Sequence, residues 1–142
     1  MKIWKLTFLL LLFACGKKPE EIRFGSDACE HCKMTIMDQR YGAEIVTAKG
    51  KVFKFDSAEC MVDFVHIGNA ELDDPETIYL TINTAAPGQL IEASSVTFLK
   101  DKAFKSPMGG NIASFPTKQL AENNKQNADA KIMSWTELLR SR

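Results

Sequence analysis

Cys29-Glu30-His31-Cys32-Lys33-Met34 is the densest run of metal-binding side chains in this sequence. Two thiols three positions apart can reach one ion. Met34 stands two residues past Cys32, so on an extended strand the two side chains share a face. A thioether is a poor partner for zinc, whose sites draw on Cys, His and carboxylates. It suits monovalent copper, which prefers soft sulfur. It also carries no proton, whereas each thiol must lose one to bind, which ties affinity to pH.

Two more sulfurs lie further along. Cys60 falls within the first turn of an expected helix, a position that lowers a thiol's pKa; its plain alternative is a small buried hydrophobe. Met108 lies in Ser106-Pro107-Met108-Gly109-Gly110, where proline and two glycines forbid regular pairing and leave the sulfur accessible. Cys29, Cys32, Met34, Cys60 and Met108 are therefore candidate ligands for a soft metal such as Cu(I), with His31 a weak or transient addition. Three readings of the Cys-x2-Cys pair stay open at this level. They are a soft-metal site, a structural zinc site completed by Cys60 and His31, and a disulfide or redox pair. A thioredoxin-type motif would open a helix, whereas this one runs into strand-like residues. Met37, Met61 and Met133 occupy apolar-periodic positions and read as packing residues. His66 reads as a favourable charge at a helix C-terminus, and Asp56 as a helix cap with a role behind the ligands.

The fourth cysteine, Cys15, follows an apolar run from Leu6 to Phe13 that is preceded by Lys2 and Lys5. A charged start, a short apolar core and a small residue before the cut describe an export signal, here ending on a cysteine that can be lipidated. The run is about half the ~20 residues that cross a bilayer. Residues 1–14 are thus expected to be a lipoprotein signal peptide. Residues 15–26 form a lipidated N-terminus and polar tether, and residues 27–142 one domain. Each acyl methylene contributes about 0.8 kcal/mol to membrane attachment, so several chains on Cys15 would hold the protein at the cell envelope. Losing Lys2 and Lys5 lowers the 18 basic side chains by two against 18 acidic ones. That balance gives no basic footprint for nucleic acid. Three thiols remain, an odd number that cannot all pair within one exported chain.

The elements that must position these residues can be read coarsely. Residues 35–48 have strand character, Lys49-Gly50 is a turn, and residues 52–55 return as a hairpin strand. Asp56 is expected to cap a helix over residues 57–66, with Glu59 completing a capping box. Strands follow at residues 77–83 and 96–100, a short apolar segment at 112–115, and a helix at 117–125 capped by Thr117. Ser134 and Glu137 form a second capping box for a short terminal helix. Two strands then a helix, twice over, predict an α+β domain of two ββα-like units packed as one. No Ser-His-Asp set, phosphate loop or carboxylate pair is present to support catalysis.

Cys29-x2-Cys32-x-Met34, then Phe55-Asp56-Ser57-x2-Cys60-Met61, then Ser106-Pro107-Met108-Gly109 leading to Phe115 together resemble the NosL family. These are envelope lipoproteins that act as accessory copper-binding proteins in nitrous-oxide reductase assembly. The matches run from Cys29 to about Leu120. The family usually has glycine at Lys33 and a second acidic residue at Ser57; neither position supplies a soft donor. The resemblance implies paired ββα-like units similar in shape to organomercurial lyase. It implies Cu(I) held by cysteine and methionine and passed to a client enzyme, nitrous-oxide reductase, by a protein that is itself no enzyme. By position, Cys32 and Met34 match the first motif, Cys60 the second and Met108 the third. The competing expectation is a lipid-anchored thiol enzyme, a disulfide oxidoreductase or organometal lyase, with Cys32 or Cys60 as nucleophile.

Overall fold

The computed structural model describes residues 16–142; Cys15 and the expected signal peptide lie outside the described residues. Seven strands form two antiparallel sheets. The first has the order β2-β1-β3-β4, from Val52–Phe55, Ala43–Val46, Ile78–Ile82 and Leu90–Glu92. The second has the order β6-β5-β7, from Ile112–Phe115, Thr97–Lys100 and Lys131–Met133. Helix α1 (Ala58–Ile67) follows β2, α2 (Lys118–Asn123) follows β6, and α3 (Trp135–Arg140) closes the chain.

The same ββαβ unit is therefore used twice. In each, the first strand is central and pairs antiparallel with the second and third: β1 with β2 and β3, β5 with β6 and β7. Both helices start alike. Buried Phe55 and Phe115 end their strands, and the Ser57 and Thr117 hydroxyls each accept the amide three residues on, from Cys60 and Leu120. This satisfies one of the orphan donors of a helix N-terminus. In structural register, Asp56 corresponds to Pro116 and Cys60 to Leu120. Chemistry thus sits in the first unit, and the second fills the same places with apolar atoms.

The expected α+β architecture is present, with two refinements. Each unit ends in a further strand, and β4 and β7 are short segments whose polar neighbours hide them from period-2 reading. Much of residues 35–48 is loop; only Ala43–Val46 is strand. The helix cap moves one residue: Ser57, not Asp56, caps α1. A hydroxyl with extended backbone at that position (φ −158°) bonds the Cys60 amide, which frees the Asp56 carboxylate to point elsewhere. The Ser134–Glu137 capping box forms as expected.

A main core joins the units. Phe53 and Phe55 stack against Phe64 of α1 at 5.1 and 5.2 Å, and Trp135 of α3 bridges Tyr79 and Phe98 at 5.4 and 6.1 Å. Successive residues of β5 face opposite ways, so Phe98 enters this core while Leu99 enters a smaller one beneath α2 with Ala113, Phe115 and Ala121. Across the seam, the Ser114 hydroxyl donates to the Ile82 carbonyl at 2.7 Å. Met61 is fully buried and Met133 half-buried, as packing residues should be, whereas Met37 is exposed. His66, in the last turn of α1, shares a 2.7 Å hydrogen bond with the Leu139 carbonyl rather than acting on its helix end alone.

The segment expected to be a tether is bound to the domain well before residue 27. Ile22 is buried against Gly42, and the Glu20 amide donates to Glu44 at 2.9 Å. Lys54 on edge strand β2 donates to the Glu21 carbonyl and to Asp27, at 3.0 and 2.9 Å. Burial alone would raise the Asp27 carboxyl, yet the Lys54 and Arg23 hydrogen bonds outweigh it and hold the group at about 2, below its ordinary 3.8. A lowered folded-state pKa contributes stability that is present above the unfolded value and lost as pH falls through the folded one. Asp27→Asn should therefore flatten the loss of stability between about pH 4 and pH 2, read from urea midpoints across that range. An unchanged acid limb would show that Asp27 is not ion-paired in solution.

Candidate metal centre

Residues 27–36 fold back on themselves as a tight knuckle. Ala28 and Thr35 form an antiparallel bridge, the Cys29 amide donates to the Met34 carbonyl at 2.8 Å, and the Lys33 amide donates to the Cys29 carbonyl at 3.0 Å. Reversing the chain this sharply puts Lys33 in the left-handed region, φ 64°. The Glu30 amide then donates to the Lys54 carbonyl at 2.8 Å, which seats the knuckle on the free edge of β2. The β2–α1 turn delivers Asp56 and Cys60 to the same place.

The result is compact. The Cys29, Cys32 and Cys60 sulfurs and an Asp56 carboxylate oxygen all lie within 4.8 Å of one another. Cys29, Cys60 and Asp56 are buried and Cys32 is half-buried. Cys32 donates to Asp56 Oδ2 at 3.4 Å, while Asp56 Oδ1 is buried without a partner. An orphaned carboxylate oxygen costs free energy unless a proton or a cation answers it. All three cysteines are free thiols.

Crowding splits the three thiols. The Cys60 thiol, aimed at Cys29, is the largest influence on it and, against the effect of burial, lowers Cys29 to about 6. Burial first, then the neighbouring Cys29 and Asp56, push Cys32 up to about 11. Cys60 is driven up as well, chiefly by its contact with Cys29 and then by burial and Asp56. The helix-start position of Cys60 was expected to favour its thiolate; two acidic neighbours in a desolvated pocket override that effect. A site built this way holds one thiolate at neutral pH and keeps the other thiols in reserve.

The remaining predicted ligands differ in exposure and stand outside this group of four. Met34 is 52% exposed on the knuckle, and Met108 is 38% exposed on its loop. That loop is pinned to α1 beside Cys60, because Ser106 Oγ donates to Glu59 Oε1. His31 lies outside the thiol–carboxylate group, with Nδ1 buried and unpartnered. Two residues stand elsewhere than the sequence suggested. Asp56 joins the group directly, and Glu59 anchors the methionine loop instead of closing a capping box. The sequence reading put Asp56 behind the ligands; it stands among the thiols instead.

The fold and site together define a small α+β protein with a thiol-rich centre between its N-terminal knuckle and its first helix. Residues 23–141 match the NosL family, and the chain belongs to it. Among solved structures, it is similar to that of the copper chaperone NosL from Shewanella denitrificans. The TM-score is 0.69 and the identity 22%, over 89% of this chain and 99% of that one. No curated protein matches the chain.

Lys33 is where this knuckle departs from an easy turn. A left-handed backbone costs a residue with a Cβ about 1–2 kcal/mol, while glycine's extra unfolded-state freedom returns about 0.4–1 kcal/mol. Its exposed contact with Glu30, 3.3 Å, adds little. Lys33→Gly should thus leave stability unchanged or raise it by up to about 1.5 kcal/mol, measured by denaturant midpoint. A clear loss would mean that the Lys33 side chain holds the knuckle.

Proposed function

We propose that the protein carries Cu(I) and releases it to a copper-accepting client at the envelope membrane, with nitrous-oxide reductase the client the family resemblance implies. The single observation that carries this reading is the convergence of three thiols and a buried carboxylate from two separate stretches of chain. Soft sulfur favours monovalent copper. One thiolate, Cys29, neutralises one Cu⁺ without a proton being lost first, and a neutral pair is what a desolvated site tolerates best. Met34 and Met108 add thioethers that bind without protons and sit where an incoming ligand could replace them. Binding in this reading is ligand exchange: acceptor sulfurs displace the exposed donors before the buried ones.

The thiol-enzyme alternative is poorly served. Its nucleophile would be Cys32 or Cys60, and both are pushed toward the protonated form, whereas the thiolate is the reactive species. A structural zinc reading has one specific observation in its favour, since Asp56 supplies a fourth, harder donor and completes a tetrahedral set. It predicts a fold that collapses with a chelator and prefers Zn²⁺.

Cys15 is proposed as the lipid attachment point, facing the periplasm or exterior. No helix among the described residues is long and apolar enough to cross a membrane. Cys15→Ser should move the protein from the membrane to the soluble fraction; retention in the membrane would end the anchor reading.

Titrating the reduced protein with Cu(I) against a competing chelator tests the carrier reading. Cys32→Ser and Met108→Ala should each weaken binding by about tenfold or more, and wild-type affinity in both variants would sink the assignment. Cys29 is ionised above about pH 6, so binding displaces no proton from it near neutrality. Cys32 and Cys60 must each release one if they coordinate. Affinity should therefore rise with pH between about 7 and 9, by about tenfold per unit for each raised thiol engaged. A flat profile would leave Cys29 as the sole thiolate ligand.

A further inference from the structure

Glu59 is fully buried one residue before Cys60, yet it lies outside the thiol–carboxylate group. A glutamate in the first turn of a helix ordinarily faces solvent or returns to the cap. Here Oε1 accepts from Ser106 Oγ, and Oε2 is buried without a partner. Gly110 presses on the same side chain, so that a Cβ built on it would stand 2.5 Å from both Glu59 Cγ and Oε1. Glycine is required there by close approach, not by backbone angle.

Ser106 relays this contact into the loop. Its hydroxyl accepts the Asn111 amide at 2.9 Å and its carbonyl accepts the Gly109 amide at 2.9 Å. Left-handed backbone at Gly109 (φ 70°) and Asn111 (φ 57°) bends the segment around, leaving Pro107 and Met108 outermost. The loop between β5 and β6 is thus fastened to α1 through one buried carboxylate. Burying such a group costs more than an apolar contact of the same size, so the helix carries it at a loss unless the loop's placement matters.

We infer that Glu59 is a positioning residue: by fastening the Met108 loop to the helix that carries Cys60, it sets how much affinity the loop contributes. This rests on the reading of Met108 as a copper donor. A tethered donor acts at a high effective concentration, which drops once its anchor is cut. Nothing in the inference depends on Glu59 touching the metal.

The test is a double-mutant cycle on Cu(I) affinity in the reduced full-length protein, with wild type, Met108→Ala, Glu59→Ala and the double variant. Each single variant should weaken binding by about tenfold. In the Glu59→Ala background, adding Met108→Ala should cost no more than about twofold. Glu59→Gln, which keeps an acceptor for Ser106, should recover most of the loss. If Met108→Ala costs its full factor whether or not Glu59 is present, the positioning role is overturned while the copper reading survives. If Met108→Ala has no effect in wild type, both fall together.

A measurement without copper separates anchoring from general damage. Hydrogen exchange at the Gly109 and Asn111 amides should quicken by about tenfold in Glu59→Ala while strands β1 and β3 keep their protection. Unchanged exchange in the loop would overturn the anchor. Should Glu59→Ala fail to fold, Ser106→Ala removes the same bond from the loop side and is read by the same two criteria.

Discussion

Three thiols and a carboxylate, all within 4.8 Å and mostly out of water, cannot all be ionised. That electrostatic constraint governs the structure around them. Without a cation, the group keeps Cys29 as the favoured thiolate and holds its neighbours protonated, since like charges at this separation in a desolvated site raise one another's pKa. A cation would offset that repulsion and let further thiols ionise. The knuckle and the β2–α1 turn are the two rigid supports that keep the groups from relaxing apart, one closed by backbone hydrogen bonds and the other by the Ser57 cap.

The duplicated ββαβ unit shows how such a site arises on an ordinary scaffold. Both units end a strand on a buried phenylalanine and open a helix on a hydroxyl cap. In one, the third helical position is Cys60; in the other it is Leu120, half-buried beside the smaller core. The second unit reaches the first through a loop instead, leaving Met108 exposed while Ser106 and Gly110 contact Glu59 of the first unit's helix. The two halves are thereby joined at the site as well as through the core, and movement of one relative to the other would be felt by the methionine loop.

Much of this was legible beforehand, for a physical reason. Caps, turns and alternating strands are written in residues close together, so the Lys49-Gly50 turn, the strand at Val52–Phe55, the Thr117 cap and the Ser134–Glu137 box could be read directly. Soft-donor chemistry also belongs to residue type, and cysteine and methionine announce it wherever they fall. Reading failed where a competition between neighbours decided the outcome. Asp56 and Ser57 are both good caps, and only packing determined that the hydroxyl took the amide and the carboxylate faced the thiols. Met37 looked like core by period but is 67% exposed, because the segment around it is loop and carries no period at all.

The sequence by itself determined the soft-donor types, the later helix starts at Thr117 and Ser134, the α+β class and the family resemblance. Tertiary structure alone decided which donors meet. The order of ionisation among Cys29, Cys32 and Cys60 depends on their distances and burial, which no local pattern encodes. The pairing of Glu59 with Ser106 likewise spans a long stretch of chain, and it exists only because the two units pack so that a loop from one reaches the first turn of a helix in the other.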